Sequence, residues 1–324
     1  MKIPLKKQVL IVTTVAISTL LVASSFVKRH DTPPADDLQG TITISGAFAL
    51  YPITVKWADE FRKLHPNVKF NISAGGAGKG ITDALSGLVD IGLASRDIYP
   101  AEVKKGAYTV YVTKDAIVPT FNTANPDAPA LLGRGVKKSQ FADIFVTGKI
   151  TDWKQVGGRI SAPIHIYTRS DAAGAAETWA KYFDKKQEDL LGVAVYGDPG
   201  LAEAVKKDPT AIGFNNIAYL YDLKTRKQVA GVHVLPIDIN GNGKIDADEN
   251  FYGTVDELTD AIASGKYPSP PARNLGFLFK GKPQKKELIA FVKYVLTDGQ
   301  KYIDQNGYIA LSKQKIQEEL KKVE

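Results

Sequence analysis

The sequence predicts an α/β protein of two lobes, with a ligand cleft between them and two crossing strands joining them. Three observations carry this expectation. Short strand-like runs at residues 41–44, 67–72 and 89–94 each end in a loop of small or polar residues, and in α/β sheets ligands collect outside such strand ends. Two apolar stretches, 116–121 and 274–279, read as crossing strands, so each lobe is assembled from separate pieces of chain. A length of 324 residues leaves ample core for one large domain or two medium ones.

The first 30 residues read as a targeting segment. Lys6 and Lys7 precede a charge-free run from Gln8 to Val27, and Ala23, Ser24 and Ser25 offer small residues for cleavage before Phe26. The run is also long enough to serve as an uncleaved N-terminal membrane anchor. Either way the main body is expected to be exported, to a periplasmic or other extracytoplasmic space. This segment holds Lys2, Lys6, Lys7, Lys28 and Arg29 and no acid, so it supplies +5 of the formal net charge of +7. The remaining chain is close to balanced, which is not the footprint of a nucleic-acid binder. Residues 31–40, with Pro33, Pro34 and three aspartates, read as a linker. The chain has no cysteine, which excludes disulfides, thiolate metal sites and lipid attachment through a cysteine.

Beyond the linker, strand 41–44 turns through Ser45, Gly46 and Ala47 into a helix over 51–64, in which Ile53, Trp57 and Phe61 recur every four residues. Strand 67–72 empties into a glycine-rich loop over 73–80, followed by a helical run over 81–88. That loop lacks the ending of a nucleoside-triphosphate P-loop, because Gly80 and Ile81 follow Lys79, and taken singly it is an ordinary tight turn. Strand 89–94 stops at Ser95, Arg96 and Asp97. After the first crossing strand come a helix over 137–145, a strand over 163–167 and a helix over 175–183. Arg169 and Asp171 lie in the turn before this last helix. Free N–H groups at a helix N-terminus and the helix dipole favour an anion, and an arginine adds a planar two-pronged donor. A helix over 200–207 and a strand over 211–214 follow, and helices over 283–297 and 312–322 close the chain. Lobe I is thus expected over 41–115 and 272–324, and lobe II over 116–271.

Residues 238–249 fit the Ca²⁺-loop pattern. Asp238, Asn240, Asn242, Asp246 and Glu249 fall at the oxygen-ligand positions, Gly243 at the sharp turn and Lys244 where a main-chain carbonyl ligates. Ile245 is expected to point inward. The flanking residues do not read as a helix pair, so a structural Ca²⁺ is expected here rather than a regulatory EF-hand.

Several stretches together resemble the periplasmic phosphate-binding proteins of high-affinity phosphate ABC transporters. The likeness lies in residues 45–61, 74–79, 89–96, 143–154, 169–175 and the return segment 265–273, and it runs from about Thr41 to Ser312. The resemblance implies a type II periplasmic-binding fold whose lobes close over phosphate, with an inner-membrane ABC permease as partner and a monomeric state. Carried over by position, the first loop offers the amides of Phe48, Ala49 and Leu50, and the second offers Ser73, Ala74 and Gly75. The third offers Ser95 and Arg96. The clamp offers Arg169 with Ala173, Gly174 and Ala175, and Asp171 is expected to orient Arg169 or the turn. Hydroxyl residues usual in the family are replaced by Ala49, Ala74, Ala173 and Ala175, and Arg96 stands at or beside the place where family members often hold a carboxylate. Each lost hydroxyl donor is worth roughly 1.5–3 kcal/mol if nothing replaces it. Sulfate, molybdate and tungstate therefore remain alternatives to phosphate, as does a Ca²⁺-dependent sensor or adhesion module. An enzyme is not expected. His30, His65, His165 and His233 are scattered without metal-ligand spacing, and no nucleophile-elbow serine is apparent. Trp57, Trp153 and Trp179 fit helical core positions better than a carbohydrate platform.

Overall fold

The computed structural model describes residues 38–324; the targeting segment and most of the linker expected from the sequence lie outside them. The chain alternates strand and helix through its first half: β1 (Gly40–Gly46), α1 (Tyr51–Leu64), β2 (Val68–Ala74), α2 (Ala77–Ser86), β3 (Ile91–Ala94), a short α3 (Pro100–Lys104) and the long β4 (Ala107–Asn122). Then follow α4 (Ala128–Arg134), β5 (Val136–Lys137), α5 (Lys138–Ala142), β6 (His165–Arg169), α6 (Gly174–Tyr182), β7 (Val193–Val195) and α7 (Gly197–Lys207). The remainder is β8 (Ala211–Asn216), β9 (Val232–Val234), β10 (Ile237–Asp238), α8 (Val255–Ala263), β11 (Ala272–Lys280), α9 (Lys286–Leu296) and α10 (Lys313–Lys321).

The main sheet runs β2-β1-β3-β11-β4-β8-β6-β7, with β9 also on β4. β1 is parallel to β2 and β3, as the βαβ pattern requires, and β11 returns antiparallel to β3 and β4. β4 belongs to both lobes. Its first part pairs with β11, ending at Ala116 opposite Ala272, and from Ile117 onward it pairs with β8. The continuous apolar run from Ala116 to Val118 is buried, as befits a strand covered on both faces. Only that second half was legible as a crossing strand. The first half alternates buried Val110 and Val112 with less buried Tyr111, then reaches Lys114 and Asp115, a polar interruption that masks a single strand.

Each lobe has its own core. In lobe I, Trp57 and Phe61 of α1 pack with Ile44, Leu93, Phe277 and Phe291. In lobe II, Trp153 and Trp179 gather Phe121, Phe141, Phe145 and Phe214. All three tryptophans are fully buried, as expected; Trp57 donates to the Gly299 carbonyl at 2.8 Å and Trp153 to that of Thr210 at 3.0 Å. The single helix expected over 137–145 is divided. α5 ends at Ala142, and a π-helical turn over Asp143–Thr147 closes on Gly148 at φ 67°.

Two glycines set how closely α2 sits on the sheet. Gly46, at φ 135°, ends β1, and a Cβ there would lie 2.6 Å from the Leu93 carbonyl oxygen. A Cβ on Gly80 would lie 2.6 Å from Gly46 Cα. The absence of side chains at both positions brings the N-terminal turn of α2 directly over the strand ends.

Candidate functional site

Four loops meet where the lobes face each other. From lobe I come the turn after β1, the glycine loop before α2 and the residue after β3; from lobe II comes the turn between β6 and α6. Gly78 of α2 donates its amide to the Ala172 carbonyl at 2.9 Å. A Cβ on Gly76 would lie 2.6 Å from Asp171 Oδ2, and one on Gly174 would lie 2.5 Å from the Ser95 carbonyl oxygen. Phe48 crosses from lobe I into lobe II. Its ring lies 5.5 Å from the Arg169 guanidinium and edge-on to Tyr196, and its carbonyl accepts the Tyr219 hydroxyl at 3.0 Å.

The α6 N-terminus supplies anion-facing chemistry. The first intrahelical bond is from the Glu177 amide to the Ala173 carbonyl, so the amides of Gly174, Ala175 and Ala176 precede it and have no acceptor within the helix. Ser95 is buried, and its hydroxyl makes no hydrogen bond among the described residues. The amides of Phe48 and Ala49 likewise donate to nothing within the described residues.

Arg169 is buried at the end of β6. Its Nε and Nη2 donate to the two oxygens of Asp171 at 2.9 and 2.7 Å, and Nη1 donates to Asp198 Oδ2 at 2.6 Å. Three of its five N–H groups are thus committed, leaving two. Burial opposes its charge, but Asp198 and Asp171 more than offset this and hold the guanidinium firmly protonated. Asp171 also accepts the Gly197 amide at 3.1 Å, which ties the clamp turn to the start of α7.

Beyond Asp198 the polar chain continues. Asp198 accepts from Asn216, Asn216 accepts from Arg273, and Arg273 also reaches Thr178 at 3.0 Å and Asp115 at 3.5 Å. Asp115 and Arg273 face each other on the two crossing strands. Burial pushes the Asp115 carboxyl up to about 6, against the opposing pull of Arg273, and burial lowers Arg273.

Not every expected donor reaches the meeting point. Arg96 does not: its guanidinium forms a two-pronged pair with Glu102 at 2.7 and 2.9 Å and lies over the Tyr99 ring. The Glu102 carboxylate caps α3, and this draws the arginine toward it. Ser73 is also elsewhere, exposed at the end of the edge strand β2. The amides of Gly75, Leu50 and Ala173 are occupied, by the Gly46 carbonyl, the Ala47 carbonyl and the Gln187 side chain respectively. Ala49, Leu50, Ala173 and Ala175 bury their side chains in the lobes, and Ala74 ends β2. Asp198, Asn216, Arg273 and the Phe48 ring were not anticipated. The signal for Asp198 was an acid in the first turn of α7, which begins at Gly197 rather than Gly200.

The 238–249 loop lies in lobe II. Asp238 and Glu249 are 3% and 4% exposed. Asp238 accepts the amides of Gly241 and Gly243 at 2.7 and 2.8 Å, and Glu249 accepts those of Ile239 and Asn240 at 3.0 and 2.8 Å. The side chains of Asn240 and Asn242 both donate to Asp246 Oδ2, while Lys244 pairs with Asp246 Oδ1 at 2.6 Å. Ile245 is half-buried against Gly135. Among the described residues no three His, Cys, Asp or Glu side chains are gathered as a metal group would need. The oxygens of Asp238, Asn240, Asn242, Asp246 and Glu249 suit a hard cation, but Lys244 holds one of them.

Comparison with known proteins agrees with the architecture. The PBP superfamily domain profile matches residues 31–299. The phosphate-binding protein PstS of Bacillus subtilis is 32% identical over 196 residues, 60% of this chain and 63% of that protein, so the chain spans less than two thirds of its length. The PstS of Methanocaldococcus jannaschii is 26% identical, over 80% of this chain and 79% of its own. The crystal structure of an ABC-type phosphate transport receptor from Vibrio cholerae superposes with a TM-score of 0.61 at 22% identity, covering 83% of this chain and 100% of that one. This likeness establishes the two-lobed fold.

Proposed function

The chain belongs to the PBP superfamily, and on that premise we propose that it captures inorganic phosphate between its lobes outside the inner membrane and delivers it to an ABC permease. The observation that carries this reading is the meeting of an α6 N-terminus with free amides, the Ser95 hydroxyl and a buried arginine at one inter-lobe point. Relatives named for phosphate binding support it. The anion is held by preorganised donors on facing lobes: the amides of Phe48, Ala49, Gly174 and Ala175, the Ser95 hydroxyl and the two remaining N–H groups of Arg169. Each of these groups donates to an anion, and the protein acts by binding. The targeting segment exports it, and it works as a monomer.

Isothermal titration with phosphate, sulfate, molybdate and tungstate tests the assignment. Phosphate is expected to bind tightly, and Arg169→Ala to abolish that binding. Silence with phosphate beside tight binding of another oxyanion overturns the choice of ligand.

We also propose that the 238–249 loop takes a structural Ca²⁺ through Asp238, Asn240, Asn242, the Lys244 carbonyl, Asp246 and Glu249. The support is the loop's spacing and the burial of Asp238 and Glu249. Calorimetric titration with Ca²⁺ is expected to show one site per chain, and no heat removes it.

A further inference from the structure

A cavity of about 950 Å³ opens between the lobes along the later turns of α6, beside the crossing strands. Lobe I contributes the loop after β3, with Tyr99, and Tyr111; lobe II contributes Glu177 and Lys181 of α6 and the 262–270 segment with Tyr267. Its volume is in the range of small-molecule sites and far exceeds what a single oxyanion fills. The donors of the oxyanion site do not line it. The two sites lie at different turns of one helix.

Most of the charges on its wall are already matched. Arg96 is held by Glu102, Lys181 pairs with Asp97, and Glu177 accepts the Tyr99 hydroxyl at 2.7 Å. Two further cations stand on the wall, and of these only Lys114 is unmatched. Lys114 is half-buried on β4, and its ammonium has no hydrogen bond or ion pair among the described residues. Arg273, 7% exposed, faces Asp115 at 3.5 Å but keeps an Nε with no acceptor. In the sheet register Lys114 stands opposite Asn274 and Asp115 opposite Arg273, so both cations come from adjoining positions of the crossing strands. Tyr99 and Tyr111 border the cavity, the first with Arg96 over one face of its ring, and the Tyr111 hydroxyl has no hydrogen bond among the described residues. An ammonium without a counter-ion at the edge of the cavity offers a positive charge that an anion would meet.

We propose that this cavity is a second ligand site, for a small organic anion that carries one carboxylate or phosphate group on a planar apolar body. The acid group meets Lys114 and the body lies beside Tyr111 and Tyr99. Because both lobes wall the cavity, its occupant favours their closed arrangement and so couples positively to an anion in the neighbouring oxyanion site. The site itself stands whether or not that oxyanion is phosphate.

Benzoate and phenyl phosphate serve as probes, each titrated calorimetrically into the full chain with and without saturating inorganic phosphate. At least one is expected to bind one-to-one with inorganic phosphate present, and the pair distinguishes a carboxylate site from a phosphomonoester site. Lys114→Ala is expected to weaken that probe at least tenfold and to leave the titration with inorganic phosphate alone unchanged. The proposal is overturned if neither probe binds at millimolar concentration, if Lys114→Ala leaves probe affinity unaltered, or if inorganic phosphate displaces the probe. Displacement would place the probe in the oxyanion site. Loss of inorganic phosphate binding alone leaves this site standing and counts only against the phosphate assignment.

Discussion

Arg169 stands between two carboxylates, so its charge is shared before any ligand arrives. Asp171 positions it from two residues away in the chain, a pairing that the sequence made visible. Asp198 reaches it from the first turn of α7, and the packing of α7 on β6 that brings it there cannot be read from spacing. Two carboxylates, Asp171 and Asp198, stand against one guanidinium, and this acidic surplus opposes a multiply charged anion. Replacing Asp198 by Asn leaves the arginine a neutral acceptor in place of a carboxylate and removes that surplus. Phosphate affinity measured by calorimetry is expected to rise about tenfold, or ~1.4 kcal/mol; an unchanged or weaker affinity would show that Asp198 is needed to hold the guanidinium in place. Asp115 gives a second test. Its carboxyl titrates at about 6 in the folded chain against an ordinary value near 4, so the native state binds the extra proton between those pH values. Stability is therefore expected to fall as pH rises from 4 through 6, by roughly 2–3 kcal/mol from this group. In Asp115→Asn, chemical denaturation across that range is expected to lose this slope. An identical slope in both proteins would assign it to other groups.

At the level of elements, the α6 N-terminus is positioned by contact with Ser95, and Gly174 is what permits the contact. A methyl group there would collide with the Ser95 hydroxyl and carbonyl. Gly174→Ala is expected to weaken phosphate binding at least tenfold while shifting Tm by only a few degrees, because the helix itself tolerates alanine. A large fall in Tm with unaltered affinity would mean that Gly174 serves the fold rather than the site. The sequence located this helix start correctly, since small residues before an apolar period are a local signal. It misplaced Arg96, because the competing partner Glu102 is chosen by the capping of α3, a contact that no strand-end pattern announces. The first half of β4 was missed for a related reason. Lys114 and Asp115 interrupt its apolar pattern, yet β11 supplies both the ladder and the Arg273 counter-charge that make them tolerable.

Across the whole molecule, the lobes touch through a few contacts of unequal worth. The pairs Lys181–Asp97 and Tyr99–Glu177 bridge them on one side, and the first is largely exposed. Exposed pairs contribute about 0–1 kcal/mol each. The double variant Tyr99→Phe/Lys181→Ala is thus expected to change phosphate affinity less than tenfold, whereas Arg169→Ala removes it; solution scattering should still show phosphate-dependent compaction in the double variant. Loss of compaction there would make these contacts the main closing force. The two-lobed plan was readable because repeated strand ends and two crossing segments are properties of the chain as a series. Which donors reach the cleft depends on which partners win each side chain after folding.

The handover of β4 between Ala116 and Ile117 also sets an order of assembly. The core of lobe II comes from residues 116–267 apart from Ile309, so nearly all of it is available before β11 has been made. Lobe I begins first but lacks β11, the strand between β3 and β4, until residue 280 has emerged. The part of the molecule that is made earliest is therefore the last to be completed, and its slowest contacts join residues near 91–116 to partners more than 150 positions later.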